Sequence, residues 1–354
     1  MYNHIMKIVL QFLTAIVVTT IFALVILNTL NPAWWQNAKL GTTTLWGYMT
    51  ISNNPLLPGA DADLIETDYK KNEIEPRISP ENLFPGGPPK DGIPSIDKPQ
   101  FVNISDTEFD DDNLIIGFEI NGEVKAYPYS ILNWHEIVND TVGGEPVSVT
   151  YCPLCETNSV FKRTIDGIVT ELGVSGKLFE SCLVMYDRLT DTLYSQPWGT
   201  GIIGERTNTV LERVPATRTT IGAWKEKYPE SLVMTSDTGF DRDYSSYPYG
   251  SYYTDNRTIF SVSRQNQLKV HPKEISQIVF VHDSENTRDR FSGESWFLTQ
   301  REVAKAGSIA KVFNEGLVTA TWDRDLSTII FKNQEGGRLS DMALFGFVYP
   351  AHFQ

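Results

Sequence analysis

Two alternating apolar runs, Asn113–Ile120 and Glu123–Tyr127, are separated by Asn121-Gly122, and this dipeptide constrains the fold more than any other stretch. Both residues tolerate positive φ, so the runs are expected to close as a tight β-hairpin. Asp166-Gly167 repeats the signal between runs at 158–164 and 168–174. Further short runs at 182–186, 192–195, 210–214, 276–282, 316–321 and 327–332 are punctuated by turn residues about every eight to twelve positions. Helical spacing is confined to Tyr129–Val138 and to Thr219–Tyr228, which opens on threonines and stops at Pro229. The reading is a mainly β (α+β) domain, barrel- or sandwich-like, with a few short helices.

Ahead of this domain, Ile8 to Leu30 is an apolar run without a charge, long enough for the roughly 20 residues of helix that span a bilayer. It lacks the short apolar centre of a cleaved signal and exits through Trp34-Trp35, as interfacial belts do. Residues 8–30 are therefore expected to be a transmembrane anchor, and 31–99, dense in proline, an extended connector docked on the domain. The β-rich domain follows over 100–354. A short head before the span and a large acidic domain after it place that domain outside the cytoplasm, periplasmic or extracellular. The net charge of −14 excludes a nucleic-acid partner, because no basic surface exists to neutralise phosphates.

The chain has three cysteines, too few for a disulfide scaffold. Two of them, Cys152 and Cys155, lie in Tyr151-Cys-Pro-Leu-Cys155 between strand-like runs, and the third is Cys182. A C-x-x-C turn supplies two sulfur ligands to Zn or Cu, with His135, Cys182, Met185 or His271 as further candidates. No second C-x-x-C or H-x-x-x-H completes a closed zinc site. The pair could instead cycle between dithiol and disulfide, or Cys152 could act as a nucleophile with His135 as its base. A static disulfide or two buried thiols is the bland alternative. Glu156 stands where a c-type haem motif needs histidine, and no P-loop, dinucleotide fingerprint or H-E-x-x-H occurs.

Ser175, Asp187 and Arg188 are candidate ligand-binding residues near the thiols, although Asp187-Arg188 also reads as a solvated pair at a hairpin tip. The polar, tyrosine-rich stretch 239–258 reads either as a tied-down loop or as a recognition surface for a small molecule or protein. Val147–Lys162 and Leu317–Lys332 align without gaps, both as strand, turn, strand, which suggests an internal pseudo-repeat. In that pairing Trp322 and Asp325 stand at the cysteine positions.

Trp134-His-Glu-Ile-Val-Asn-Asp140, Val149-Thr-Tyr-Cys-Pro-Leu-Cys155, Gly173-Val-Ser-Gly176, Leu183-Val-Met-Tyr-Asp-Arg188 and Phe345-Gly-Phe-Val-Tyr-Pro350 occur in the order typical of one bacterial and archaeal family. Over roughly residues 100 to 350 the chain resembles the domain of unknown function 3179. The resemblance implies an exported or membrane-tethered protein without an assigned activity. It puts weight on Cys152 and His135 rather than Cys155, a position sometimes replaced in that family. The chain departs from the family pattern at Glu156, commonly glycine, and at Cys182, more usually asparagine. Together these readings favour transition-metal binding by Cys152, Cys155 and His135. The alternatives are a Cys152 enzyme and a non-catalytic binding module built on loop 239–258.

Overall fold

The computed structural model describes residues 74–264, 267, 269–281 and 295–353, so the apolar run 8–30 and the connector up to residue 73 lie outside the described residues. The strands begin with β1 (Phe84–Pro85), β2 (Phe101–Asn103), β3 (Leu114–Ile120) and β4 (Glu123–Pro128), followed by helix α1 (Tyr129–His135). A meander of β5 (Ile137–Val142), β6 (Glu145–Cys152) and β7 (Thr157–Lys162) comes next. Then come β8 (Thr164–Ile165), β9 (Ile168–Val169), β10 (Leu172–Phe179), β11 (Cys182–Asp187), β12 (Leu193–Ser195), β13 (Thr200–Ile203) and β14 (Arg213–Val214). Strand β15 (Thr217–Thr220), α2 (Ile221–Lys227) and β16 (Leu232–Met234) precede the tyrosine-rich loop. The last portion holds β17 (Ile275–Phe280), β18 (Ser295–Thr299), α3 (Gln300–Ala306), β19 (Ser308–Phe313), β20 (Gly316–Asp323), β21 (Thr328–Lys332), β22 (Asp341–Phe345) and α4 (Val348–His352).

Strand accounts for 42% of the described residues and helix for 12%, which makes the fold mainly β. The sheets are open: the two largest run β1-β10-β11-β12-β13 and β15-β3-β4-β16-β2, and a third runs β14-β7-β6-β5. Turn chemistry sets the first hairpin as expected. Asn121 at φ 51° and Gly122 at φ 84° take the left-handed conformation, and Ile120 pairs with Glu123. Strands β6 and β11 are buried along almost their whole length, because apolar clusters cover both of their faces. Part of the proline-rich segment is tied to this framework: Phe84–Pro85 pair with β10, and Ile96 bridges to β5 in parallel.

Helix α1 ends three residues earlier than its sequence period suggests. Glu136 adopts φ 59° while its N–H still bonds the Leu132 carbonyl at 2.8 Å, which turns the chain directly into β5. Ile137 and Val138 are then fully buried as strand residues rather than as a last helical turn. In α2 the Thr220 hydroxyl accepts from the Ala223 N–H, the cap that the sequence called for.

The portions 114–162 and 275–332 share one element order: hairpin, seven-residue helix, three-stranded meander. Each then continues into a strand that pairs with the first hairpin strand and a short helix, through β15 and α2 in one case and β22 and α4 in the other. Equivalent bonds recur: Tyr151 N–H to Glu136 O at 2.8 Å, and Trp322 N–H to Gly307 O at 2.9 Å. Glu136 and Gly307 both have positive φ, as do Glu156 and Ser327. These matches set the register one residue away from the gap-free sequence pairing. Trp322 faces the role of Tyr151, and Cys152 and Cys155 correspond to Asp323 and Leu326, not to Trp322 and Asp325. The gap-free pairing fails because the Phe-Lys ends that anchor it are not equivalent positions in the two meanders.

Candidate functional site

Strand β6 ends at Cys152 and β7 begins at Thr157, so Cys-Pro-Leu-Cys is the tip of a hairpin whose return is made by Glu156 at φ 59°. All three cysteines are buried and none is in a disulfide. They touch in sequence: Cys152 with Cys155, and Cys155 with Cys182. The Thr157 hydroxyl lies 3.0 Å from the Cys155 sulfur. Burial, reinforced by the Cys155 thiol, pushes Cys152 well above the ordinary thiol range. Burial likewise raises Cys155, and it lifts Cys182 to about 11. Thiols in this environment stay protonated at neutral pH and are weak nucleophiles.

His135 is held elsewhere. Its Nδ1 lies 2.7 Å from the Pro94 carbonyl and its Nε2 2.7 Å from the Tyr244 hydroxyl. A carbonyl only accepts, so Nδ1 carries the proton and Nε2 accepts from Tyr244. Burial lowers its pKa to about 4, which keeps the ring neutral. Both nitrogens are thus engaged, and neither is offered to a thiol as ligand or base. Among the described residues, no group of three or more His, Cys, Asp or Glu is arranged to hold a metal ion. Met185 is a buried core side chain, and His271 Nδ1 accepts from the Lys273 N–H at 3.2 Å.

The carboxyl whose charge acts on Cys152 is that of Glu136, the residue after His135, which sequence reasoning passed over. Its carboxyl is buried and accepts from the Tyr249 hydroxyl at 3.1 Å. Burial outweighs that bond and raises its pKa to about 7. The signal available in sequence was a glutamate placed immediately before the apolar run Ile137-Val138.

Ser175, Asp187 and Arg188 are not gathered around the thiols by any bond they make. The Ser175 hydroxyl donates to the Val184 carbonyl and accepts from the Lys177 N–H, bracing the bulge between Val174 and Lys177. Asp187 is fully buried and takes bonds from Thr170, Arg206 and Thr190. Arg188 reaches Asp97, Glu171 and Ser95, each at 2.7 Å. These contacts fasten the connector and the β11–β12 turn.

The tyrosine-rich loop sits on both motifs at once. Tyr244 bonds His135, Tyr249 bonds Glu136, Tyr252 donates to the Leu154 carbonyl at 2.6 Å, and Tyr253 donates to Glu156 at 3.4 Å. Trp134 Nε1 adds a bond to the Ser246 carbonyl at 3.1 Å. So fastened, the loop walls a cleft of about 870 Å³ whose other sides come from 108–114 and α1. Beneath it lies Glu156, fully buried, paired with Arg218 at 2.8 Å and accepting from Tyr151 at 2.8 Å.

Two polar atoms on α1, Ser130 Oγ and Asn133 Oδ1, are buried in residues that line the cleft and have no hydrogen-bond partner. The Tyr129 hydroxyl is met by Arg218, which also lies close to the Tyr129 ring and donates through Nε and Nη2 to Glu156 and Tyr253. Buried polar atoms without partners are rare, and here two lie on one helix whose residues line one cavity. Sequence reasoning had named the loop but not the helix face opposite it.

No curated protein and no solved structure matches the chain. Residues 90–346 match the family described as Protein of unknown function (DUF3179), more than half the chain, and the chain belongs to that family.

Proposed function

We propose that this chain is a non-catalytic binding module whose ligand sits in the cleft between α1 and loop 239–258. The observation that carries the reading is the cleft itself, walled by a loop that is tied by its tyrosines to both family motifs. The volume suits a small molecule. The two family motifs then have a structural purpose, since His135, Glu136, Leu154 and Glu156 are the posts to which the loop is tied. The test is a thermal-shift screen of the full-length chain against small polar compounds, repeated on Asn133→Leu. Ligands that stabilise the parent chain should lose their effect in the variant; ligands that stabilise both equally would remove the cleft from consideration.

In this reading the run 8–30 tethers the module to a membrane, with the domain outside the cytoplasm. Its open sheets pack as a sandwich of two copies of one duplicated unit. Cys155 touches both Cys152 and Cys182, and a second reading is a soft-metal site for Zn or Cu, for which the three sulfurs would have to draw together. Such a site would have to draw off protons that burial retains, and it would use Cys182 in place of His135. Metal retained by the parent chain and lost in Cys152→Ser would support it.

A further inference from the structure

The cleft has a charge character as well as a shape. Glu108, Asp110, Asp112 and Asp243 line it against a single cation, Arg242. Glu108 is committed, accepting from the Ser236 N–H at 2.7 Å and the Ser236 hydroxyl at 2.9 Å. Asp110 and Asp112 are exposed, and among the described residues their carboxylates enter no ion pair or side-chain hydrogen bond. Asp243 is exposed and takes both Ser245 bonds on Oδ1, from the N–H at 3.1 Å and from the hydroxyl, with the Ser246 hydroxyl close by. The Ser245 hydroxyl holds the Asp243 carboxyl below its usual range, so it is ionised at any physiological pH. Three exposed carboxylates, two of them without a partner among the described residues, therefore come from two separate segments of the cleft lining.

The apolar part of the lining is aromatic. Phe109, Tyr244 and Tyr253 are half-buried, leaving ring surface towards the cavity. Ring faces attract cations, and the combination of aromatic faces with nearby carboxylates recognises ammonium groups. The buried floor fits the same ligand. Asn133, whose Oδ1 has no partner and can only accept, stands on the α1 side of the cavity.

We infer that the cleft takes an organic cation, a small molecule bearing a primary or quaternary ammonium group, with Asp110, Asp112 and Asp243 supplying the charge and the aromatic rings the seat. The inference rests on the cleft being a binding site, as proposed above, and narrows it to one ligand class. The experiment is calorimetric titration of the full-length chain with spermidine, with choline, with the uncharged isostere of choline in which carbon replaces nitrogen, and with a neutral trisaccharide. Binding of either cation is expected, with choline preferred to its isostere by at least about tenfold. Asp110→Asn with Asp112→Asn should weaken that binding by about tenfold. Both side chains are exposed and unpaired, so the double variant should keep the parent circular dichroism and melting temperature. Added salt should weaken cation binding further. Equal affinity for choline and its isostere, or binding of the trisaccharide alone, would overturn the cation inference while leaving the cleft as a binding site. Binding by none of the four would overturn the cation inference, and the thermal-shift comparison with Asn133→Leu then decides separately on the cleft.

Discussion

Glu136→Gln should stabilise the protein at neutral and alkaline pH and do nothing near pH 4.5. Burial raises the Glu136 carboxyl from the ordinary 4.5 to about 7, the Tyr249 bond pulling the other way. The folded chain thus holds this proton more tightly than the unfolded chain does. For a carboxyl raised in this way, its share of stability is fully present below about pH 4.5, falls as pH rises, and is gone above about pH 7. At about 1.4 kcal/mol for each tenfold in proton affinity, the loss amounts to about 3 kcal/mol. Glutamine has the shape of the protonated acid and can still accept from Tyr249, so it keeps the packing and removes the penalty. Urea unfolding of the two chains across about pH 4.5 to 8 reads the difference directly, because every other titrating group cancels in the comparison. The stability gap should open from near zero to about 3 kcal/mol. A gap that does not change with pH, or a variant weaker than the parent above pH 7, would refute the buried, proton-retaining carboxyl.

Three further outcomes follow from the same geometry. His135, lowered by burial to about 4 from 6.5, contributes stability present above pH 6.5 and lost as pH falls through 4; His135→Gln should flatten that acid limb of the stability profile. Arg218→Met leaves the buried Glu156 without its cation and should cost about 3–5 kcal/mol, with Glu156→Gln in the same chain restoring a large part, measured as melting temperature. The three thiols should resist iodoacetamide at neutral pH in the native state and become fully reactive in denaturant; fast native labelling of even one would contradict their burial and protonation.

What the sequence made legible was local. Asn121-Gly122 announces a hairpin because two positive-φ residues are needed side by side and few pairs supply them. Thr220 announces a helix start because its hydroxyl reaches an N–H only three residues on. The end of α1 was not legible, because a glutamate holds the left-handed position that glycine usually marks. The cleft was less legible still. Its floor, its acidic side and its tyrosine wall come from 129–133, 108–114 and 242–254, and only folding brings them together. Glu156 could be read as a departure from a motif, but its reason, Arg218, lies 62 residues further on.

The comparison of the two halves bears on the thiols. Cys155 corresponds in position to Leu326, which is buried in a cluster with Ile115, Ile221 and Trp224, all from the other half. Cys155 in turn is buried with Ile278, Met342, Leu344 and Phe345, again from the other half. Each tip is also bonded across: the Cys155 carbonyl accepts from Phe345 N–H at 2.9 Å, and the Leu326 carbonyl accepts from the Thr219 hydroxyl at 2.7 Å. Both tips therefore act as plugs, each filling the core of the opposite half. A plug position tolerates leucine in one half and cysteine in the other because both are apolar when buried and protonated. Cys155 then needs no chemistry to explain its place, and Cys155→Leu should be tolerated far better than Cys155→Asp, which would bury an unpaired charge in the same cluster. If the leucine variant melts as low as the aspartate variant, the two tips are not equivalent and the thiol has a role that packing does not supply.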